Sequence, residues 1–418
     1  MEHRKSTYRL LLPALGLSLV SLALTEALAK EVPEGIPAGP WILAPFFSSS
    51  YEADTNVFRK TEASGADDDR IATFTGELFG TLPFRNSELT LGYRTSKESF
   101  DNATFPRELT QYAEFDLELN FKSGDTLSLR DFFREDFARS EDIDAGGELV
   151  FEGEPYTINR WEVEFSRDDP GRQGYFARVR RQDFNYDGQK DVGFFDYRGF
   201  DNVFEYRQPL PGYRRWVLRY NARRFNHYDP NCKLGFECEG EVGVPFRKEV
   251  SDSVELGLMG NLGERQPYVV RLGYSSFRYE GTESSDFNGI VGHAAWRLAL
   301  GSRTDLELRL TRRALPSNFE TYYINNSVRA KLDREWLRFE SGIELEYYLN
   351  DYADPIELGV NQFCRRRDST YELDVDWAWR VHERFKFEIS AFHTNRRSTC
   401  DTSDYQATGL GTGIALGW

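Results

Sequence analysis

Apolar residues recur at every second position along most of the chain. Clear runs are Ala113, Phe115, Leu117, Leu119 and Phe121; Trp216, Leu218, Tyr220 and Ala222; Leu337, Phe339, Ser341, Ile343, Leu345 and Tyr347; and Tyr371, Leu373, Val375, Trp377 and Trp379. A period of two puts each set on one face of a strand and leaves the intervening residues, mostly charged or small, on the other. Read through to the end, the alternation predicts about 18 strands. The last of them sets Leu410, Thr412, Ile414, Leu416 and Trp418 against Gly409, Gly411, Gly413, Ala415 and Gly417. Such a strand would be an exposed-edge hazard in a soluble sandwich, whereas in a closed membrane barrel its apolar face meets lipid and both edges are paired.

Connection lengths point the same way. Short turn signals fall at 122–125, 168–174, 209–212, 263–267, 301–304, 333–335 and 382–384, and longer polar stretches at 52–69, 101–107, 138–154, 187–196, 229–240, 281–288 and 351–369. Alternating short and long connections are those of a membrane barrel with tight periplasmic turns and longer outer loops. The expected fold is therefore all-β: one transmembrane antiparallel up-and-down β-barrel.

The start of the chain supplies a compartment. Arg4, Lys5 and Arg9 precede an apolar stretch from Leu10 to Leu24, and Ala27-Leu28-Ala29 has the small-x-small pattern of a cleavage site. This predicts a signal peptide over 1–29, a short periplasmic lead-in over 30–39 and the barrel over 40–418. After Lys30 no run of about 18 apolar residues offers a membrane-spanning helix.

Several stretches resemble the outer-membrane β-barrel porins of Gram-negative bacteria that are often encoded near exopolysaccharide genes. The opening Trp41-Ile42-Leu43-Ala44-Pro45, followed by Tyr51 to Arg59 with its acidic-Asn56-Val57-Phe58 group, is similar to that family's first strand and loop. Arg312-Arg313 to Ser317-Asn318-Phe319 with Tyr322-Tyr323, and Asn395-Arg396-Arg397-Ser398 with Asp404-Tyr405, resemble its Arg-and-Ser hairpin tops. The resemblance implies a porin-like barrel with a link to exopolysaccharide export.

A formal charge of -16 excludes a nucleic-acid role, which needs a concentrated basic surface. Four cysteines in an exported chain suggest two disulfides, Cys232 with Cys238 and Cys364 with Cys400. If the apolar faces meet lipid, the interior is lined by Arg178, Arg180, Arg215, Arg219, Arg223, Arg309 and Arg313, and by Glu114, Asp116, Glu118, Glu344 and Asp374. Facing ladders of this kind would set a transverse field that selects polar or charged solutes, with Arg219 and Arg223 about 13 Å apart along one wall. Neighbouring strands that simply pair their charges would give a wet wall without selectivity.

Asp183, Asn185, Asp187, Gln189 and Asp191 follow the D-x-N-x-D-G-x-x-D spacing of a calcium loop, with Gly188 at the turn. Phe194 stands at the twelfth position, where a bidentate Glu belongs, and the same residues make ordinary hairpin loops. Enzyme signatures are weak: none of His227, His293, His382 and His393 lies two residues before a Ser, although His393 precedes Ser398 and His227 is near Asp229 at the outer rim. The expected function is a channel for small polar solutes or polysaccharide. A non-conducting structural or surface-interaction barrel is the alternative.

Leu410, Ile414, Leu416 and Trp418 form the expected signal to the barrel assembly machinery, because the last strand must enter lipid with its apolar side outward. Deleting Trp418 should leave secreted, uninserted protein, scored by membrane fractionation and by loss of heat-modifiable gel migration.

Overall fold

The computed structural model describes residues 35–56, 68–102, 109–137, 155–168, 172–186, 196–228, 247–263, 266–280, 286–317, 322–359, 362–400 and 404–417. They form strands β1 (Ile36–Ala38), β2 (Trp41–Asp54), β3 (Asp69–Phe84), β4 (Ser87–Phe100), β5 (Leu109–Asn120) and β6 (Asp125–Phe137). The chain continues with β7 (Pro155–Arg167), β8 (Gly174–Tyr186), β9 (Asp196–Leu210), β10 (Arg214–Tyr228), β11 (Arg247–Asn261), β12 (Pro267–Glu280) and β13 (Phe287–Ala299). It closes with β14 (Thr304–Pro316), β15 (Tyr322–Glu335), β16 (Phe339–Gly359), β17 (Gln362–His382), β18 (Phe385–Ser398) and β19 (Tyr405–Gly417).

Each strand from β2 onward pairs antiparallel with the next. The ring closes where β19 pairs β2, from Gly409 opposite Asp54 to Gly417 opposite Phe46. The fold is a closed 18-strand antiparallel barrel, as the alternation predicts. β1, within the expected lead-in, turns at Gly39 (φ 67) and lies back on β2 with Ile36 opposite Leu43.

At one end the strands join through tight turns. Between β5 and β6 the Gly124 amide donates to the Phe121 carbonyl at 3.0 Å, with Gly124 at φ 84, a conformation in which a side chain would be strained. Two connections differ from the sequence expectation. The turn expected at 333–335 lies three residues later, at 336–338, since β15 runs to Glu335 and β16 begins at Phe339. The loop expected over 351–369 is instead a hairpin continuing the barrel wall, with Pro355 opposite Arg365 and register shifts at Asp351/Pro355 and Glu357/Gly359. Above the bilayer neither strand face needs apolar residues, so pairing persists where the alternation has stopped.

The bridge between Cys364, in β17, and Cys400, just beyond β18, ties that hairpin to the β18–β19 connection, with Cα atoms 6.0 Å apart. Cys232 and Cys238, the expected signal peptide and Trp418 lie outside the described residues.

The outer face carries the alternating apolar residues: Phe115, Trp216, Leu218, Leu256, Ile290, Leu310, Ile343, Leu345, Leu410, Ile414 and Leu416 are all exposed. On β16 and β17 the apolar band runs from Phe339 and Trp379 up to Tyr347 and Tyr371. That is about 26 Å of strand at ~3.3 Å per residue, on the order of the ~25 Å band of a membrane barrel flanked by aromatic girdles.

Inner-face glycines let adjacent strands approach. A Cβ on Gly273 would lie 2.0 Å from the Val254 carbonyl oxygen, whereas one on Gly301, in the β13–β14 turn, meets nothing within 4 Å. Gly273→Val should therefore destabilise the barrel by about 1–3 kcal/mol. Gly301→Val should be silent, both read by denaturant titration in detergent.

Candidate functional site: the charged lumen

Strand parity sends every candidate lining residue inward. Arg215, Arg219 and Arg223 share the inner face of β10 with Val217 and Phe225, and Arg178 and Arg180 share that of β8 with Gln182. Arg309 and Arg313 share a face of β14, Arg309 opposite Arg329 and Arg313 opposite Asn325. Glu114, Asp116 and Glu118 face inward from β5, and Glu344 of β16 stands opposite Asp374 of β17.

On β7 to β12 these charges are buried against one another. Arg180 Nη2 lies 2.7 Å from Glu162 Oε2, and Arg178, 1 % exposed, lies 3.5 Å from Asp201 and 3.8 Å from Glu162. Glu205 is the hub, 2.7 Å from Arg207, 3.5 Å from Arg219 and 3.9 Å from Arg271, and Arg271 also reaches Glu255 at 3.0 Å. Asp168 pairs with both Arg215 and Arg207. Higher up, Glu249 lies 3.4 Å from Arg223 and 3.5 Å from His227. Arg219 and Arg223 are thus members of ion-pair networks and not bare cations on one wall.

The opposite arc, from β16 round to β5, is acidic. Glu340, Glu344, Glu346, Glu372, Asp374, Asp376, Glu388, Glu77, Glu88, Glu114, Asp116 and Glu118 face inward there, with few cations among them. Glu77 holds Arg94 at 2.6 Å, Glu344 holds Arg329 of β15 at 2.5 Å, and Glu340 holds Arg380 at 2.7 Å and Lys386 at 3.1 Å. Glu114 accepts from the Tyr112 hydroxyl at 2.6 Å, Glu118 from Asn120 at 2.7 Å, and Asp116 pairs with Arg130 at 2.9 Å. Glu88 and Glu118 face each other directly across β4 and β5. Many of these inner side chains meet solvent: Glu88 and Asp376 are exposed, and the Glu340 and Asp116 side chains are 36 % and 35 % exposed.

Near the outer end the lumen wall turns aromatic. Tyr156, Phe184 and Tyr186 pack on β7 and β8, and Phe277, Tyr279, Phe287, Val291 and Tyr322 on β12, β13 and β15. Arg247 lies 3.8 Å over the Tyr279 ring. Asp368, fully buried, pairs with Arg366 at 2.9 Å and with Arg396.

The calcium expectation is corrected at two of its residues. Asp183 and Asn185 belong to strand β8, opposite Asn159 and Thr157, on the face away from buried Gln182, Phe184 and Tyr186. An extended backbone holds them apart and cannot wrap an ion as a loop would, and Asp183 lies 3.2 Å from Arg181. Asp187, Gln189 and Asp191 lie outside the described residues. Among the described residues no group of three or more His, Cys, Asp or Glu could hold a metal.

His293 and His393 are hydrogen-bonded wall residues. His393 Nδ1 is 2.9 Å from Thr408 Oγ1 on the outer face, and Ser398, an odd number of residues away on β18, faces inward, so that pair cannot meet. His293 Nδ1 is 3.5 Å from Thr311 Oγ1. Sequence reasoning passed over the hub Glu205 and its neighbours Asp201 and Arg207. Their strand, β9, has Phe200 and Phe204 on one face but Val203 on the other, which blurs the alternation. The available signal was their even spacing, which puts all three on one face of the strand.

Closed ladder, apolar outer face and charged interior together define the class, an outer-membrane β-barrel. No protein-family model matches the sequence, and no curated protein matches it. Among solved structures the chain is similar to the outer membrane protein OpdK of Pseudomonas aeruginosa, with 12% identity over 90% of this chain and 99% of that one and a TM-score of 0.50. It is also similar to the FrpB iron transporter of Neisseria meningitidis (F3-3 variant), with 8% identity over 88% of this chain and a TM-score of 0.50. The chain spans 63% of the length of that transporter. At such identities the likeness is one of fold.

Glu205→Gln would remove the negative charge shared by three guanidinium groups. Because breaking one partner out of a buried network leaves uncompensated charge, it should cost about 3–5 kcal/mol. Unfolding in detergent by urea measures it, and Glu205→Asp should recover part of the loss.

Proposed function

We propose that the chain, exported by cleavage of residues 1–29, is a porin-like channel for polar or charged solutes. The observation that carries this reading is the segregation of charge across a solvated lumen, with arginines concentrated on β6 to β15 and carboxylates from β16 round to β5. Opposed rows of fixed charge set a field across the pore and act on whatever ion or dipole crosses it. A role beside exopolysaccharide export rests on the resemblance at Trp41–Arg59 and the hairpin tops alone. OpdK has also been solved with vanillate, so a small organic anion is a rational first solute to try.

A non-conducting barrel is the second reading, and a specific observation favours it. Arg178 and the inner valines Val203 and Val217 are 1 %, 0 % and 0 % exposed, so the β8–β10 sector is thickly covered by its own side chains. Planar-bilayer recording separates the two, since only an open lumen gives steps of conductance above background.

In an open lumen the acidic arc should favour cations. Glu88 and Glu118 are like charges directly opposite each other, so Glu88→Gln/Glu118→Gln should fold at least as well as wild type. It should also shift the reversal potential in a salt gradient toward anions. The shift should fade as salt rises and the screening length falls to about 3 Å at 1 M. An unchanged reversal potential would remove the field from the mechanism.

A further inference from the structure

High on the outer wall, where β16, β17 and β18 leave the apolar band, a concavity of about 300 Å³ is lined by Tyr347, Ser369, Tyr371, His393, Asn395 and Arg397. These residues alternate with inward-facing ones and point away from the lumen: Tyr347 is opposite Tyr371, Tyr371 opposite Asn395, and Ser369 opposite Arg397. Tyr347 and Tyr371 are the upper aromatic residues of the lipid band, with Ile343, Leu345 and Val375 below them. Everything above them stands at headgroup depth.

That level is strongly basic on this sector. Arg397 is exposed at the concavity, and Arg367 and Arg365 stand above Ser369 on the same face of β17, both exposed. Arg367 pairs with Asp351, whereas among the described residues neither Arg365 nor Arg397 meets a carboxylate. A chain of net charge -16 has gathered unneutralised guanidinium groups beside lipid. Elsewhere on the outer face Arg224 is neutralised by Asp252 at 2.7 Å.

We infer that this concavity seats the phosphate-bearing headgroup of an outer-leaflet glycolipid. Arg397 and Arg365, the two without a carboxylate partner among the described residues, take the phosphate through charge-assisted hydrogen bonds. Asn395, Ser369 and His393 offer polar groups to sugar hydroxyls, and the acyl chains run down over Tyr347, Tyr371 and the aliphatic band. The inference rests on the membrane placement in the proposed function and not on an open lumen, so a barrel without conductance would leave it standing.

The test is binding of bis-phosphorylated lipid A to the purified barrel in detergent, followed by native mass spectrometry, with heat-modifiable migration reporting the fold separately. Wild type should bind it saturably. Arg397→Gln should lose at least about tenfold in affinity, the worth of one charge-assisted hydrogen bond, and Arg365→Gln/Arg397→Gln more. Arg224→Gln, on another sector, should bind as wild type. Dephosphorylated lipid A should bind wild type no better than the phosphorylated lipid binds Arg397→Gln. Equal binding by wild type and Arg397→Gln, equal binding of the two lipids, or full competition by millimolar inorganic phosphate would each overturn the assignment, the last by showing a site for the free ion.

Discussion

In hydrocarbon a backbone amide without a partner costs several kcal/mol, and no water is there to supply one. A sheet with two open edges cannot meet that demand, so the pairing of β19 with β2 is the contact on which the rest depends. It joins residues 355 to 371 positions apart in the chain, Gly409 to Asp54 and Gly417 to Phe46. Once it forms, the strands are locked in consecutive order and each has one face to lipid and one to the interior. The near-bare inner face of β19, with Gly409, Gly411, Gly413 and Ala415, leaves the room beside this seam to Phe392 and Glu52.

Closure also makes charge placement a matter of parity. Apolar side chains must turn outward, so the chain's abundant carboxylates and guanidinium groups are driven inward, where isolated charges would be expensive. They answer by pairing across neighbouring strands: Glu162 with Arg178 and Arg180, Glu205 with Arg207, Arg219 and Arg271, Glu344 with Arg329. Where carboxylates outnumber cations, on β16 round to β5, exposure rises, since unpaired charge is tolerated only where water can reach it. A selective wall and a stable wall are thus built from the same residues. Pairing and exposure divide the work between sectors.

Above the bilayer the constraint is relaxed. Strands no longer need an apolar outer face, and β16 and β17 extend as a polar hairpin tied by Cys364 and Cys400. Aromatic clusters move to the inside, and arginines appear on the outside.

What the residues determined by themselves was local. The side-chain period of two marks which face meets lipid wherever one face is apolar, and the arginines and carboxylates expected in the lumen are all on the inner face. That period cannot see a strand whose faces are mixed, as in β9 with Phe200, Val203 and Phe204, nor one beyond the membrane, as at 351–369. The D-x-N-x-D-G spacing likewise set Asp183 and Asn185 among loop ligands, when their extended backbone in β8 separates them. The tertiary structure alone decided which charges meet: Asp168 joins Arg215 across 47 positions and Arg271 reaches Glu205 across 66, distances over which no sequence pattern carries register. Face is a property of one strand, but partnership belongs to the register of several, and register is fixed only when the ring has closed.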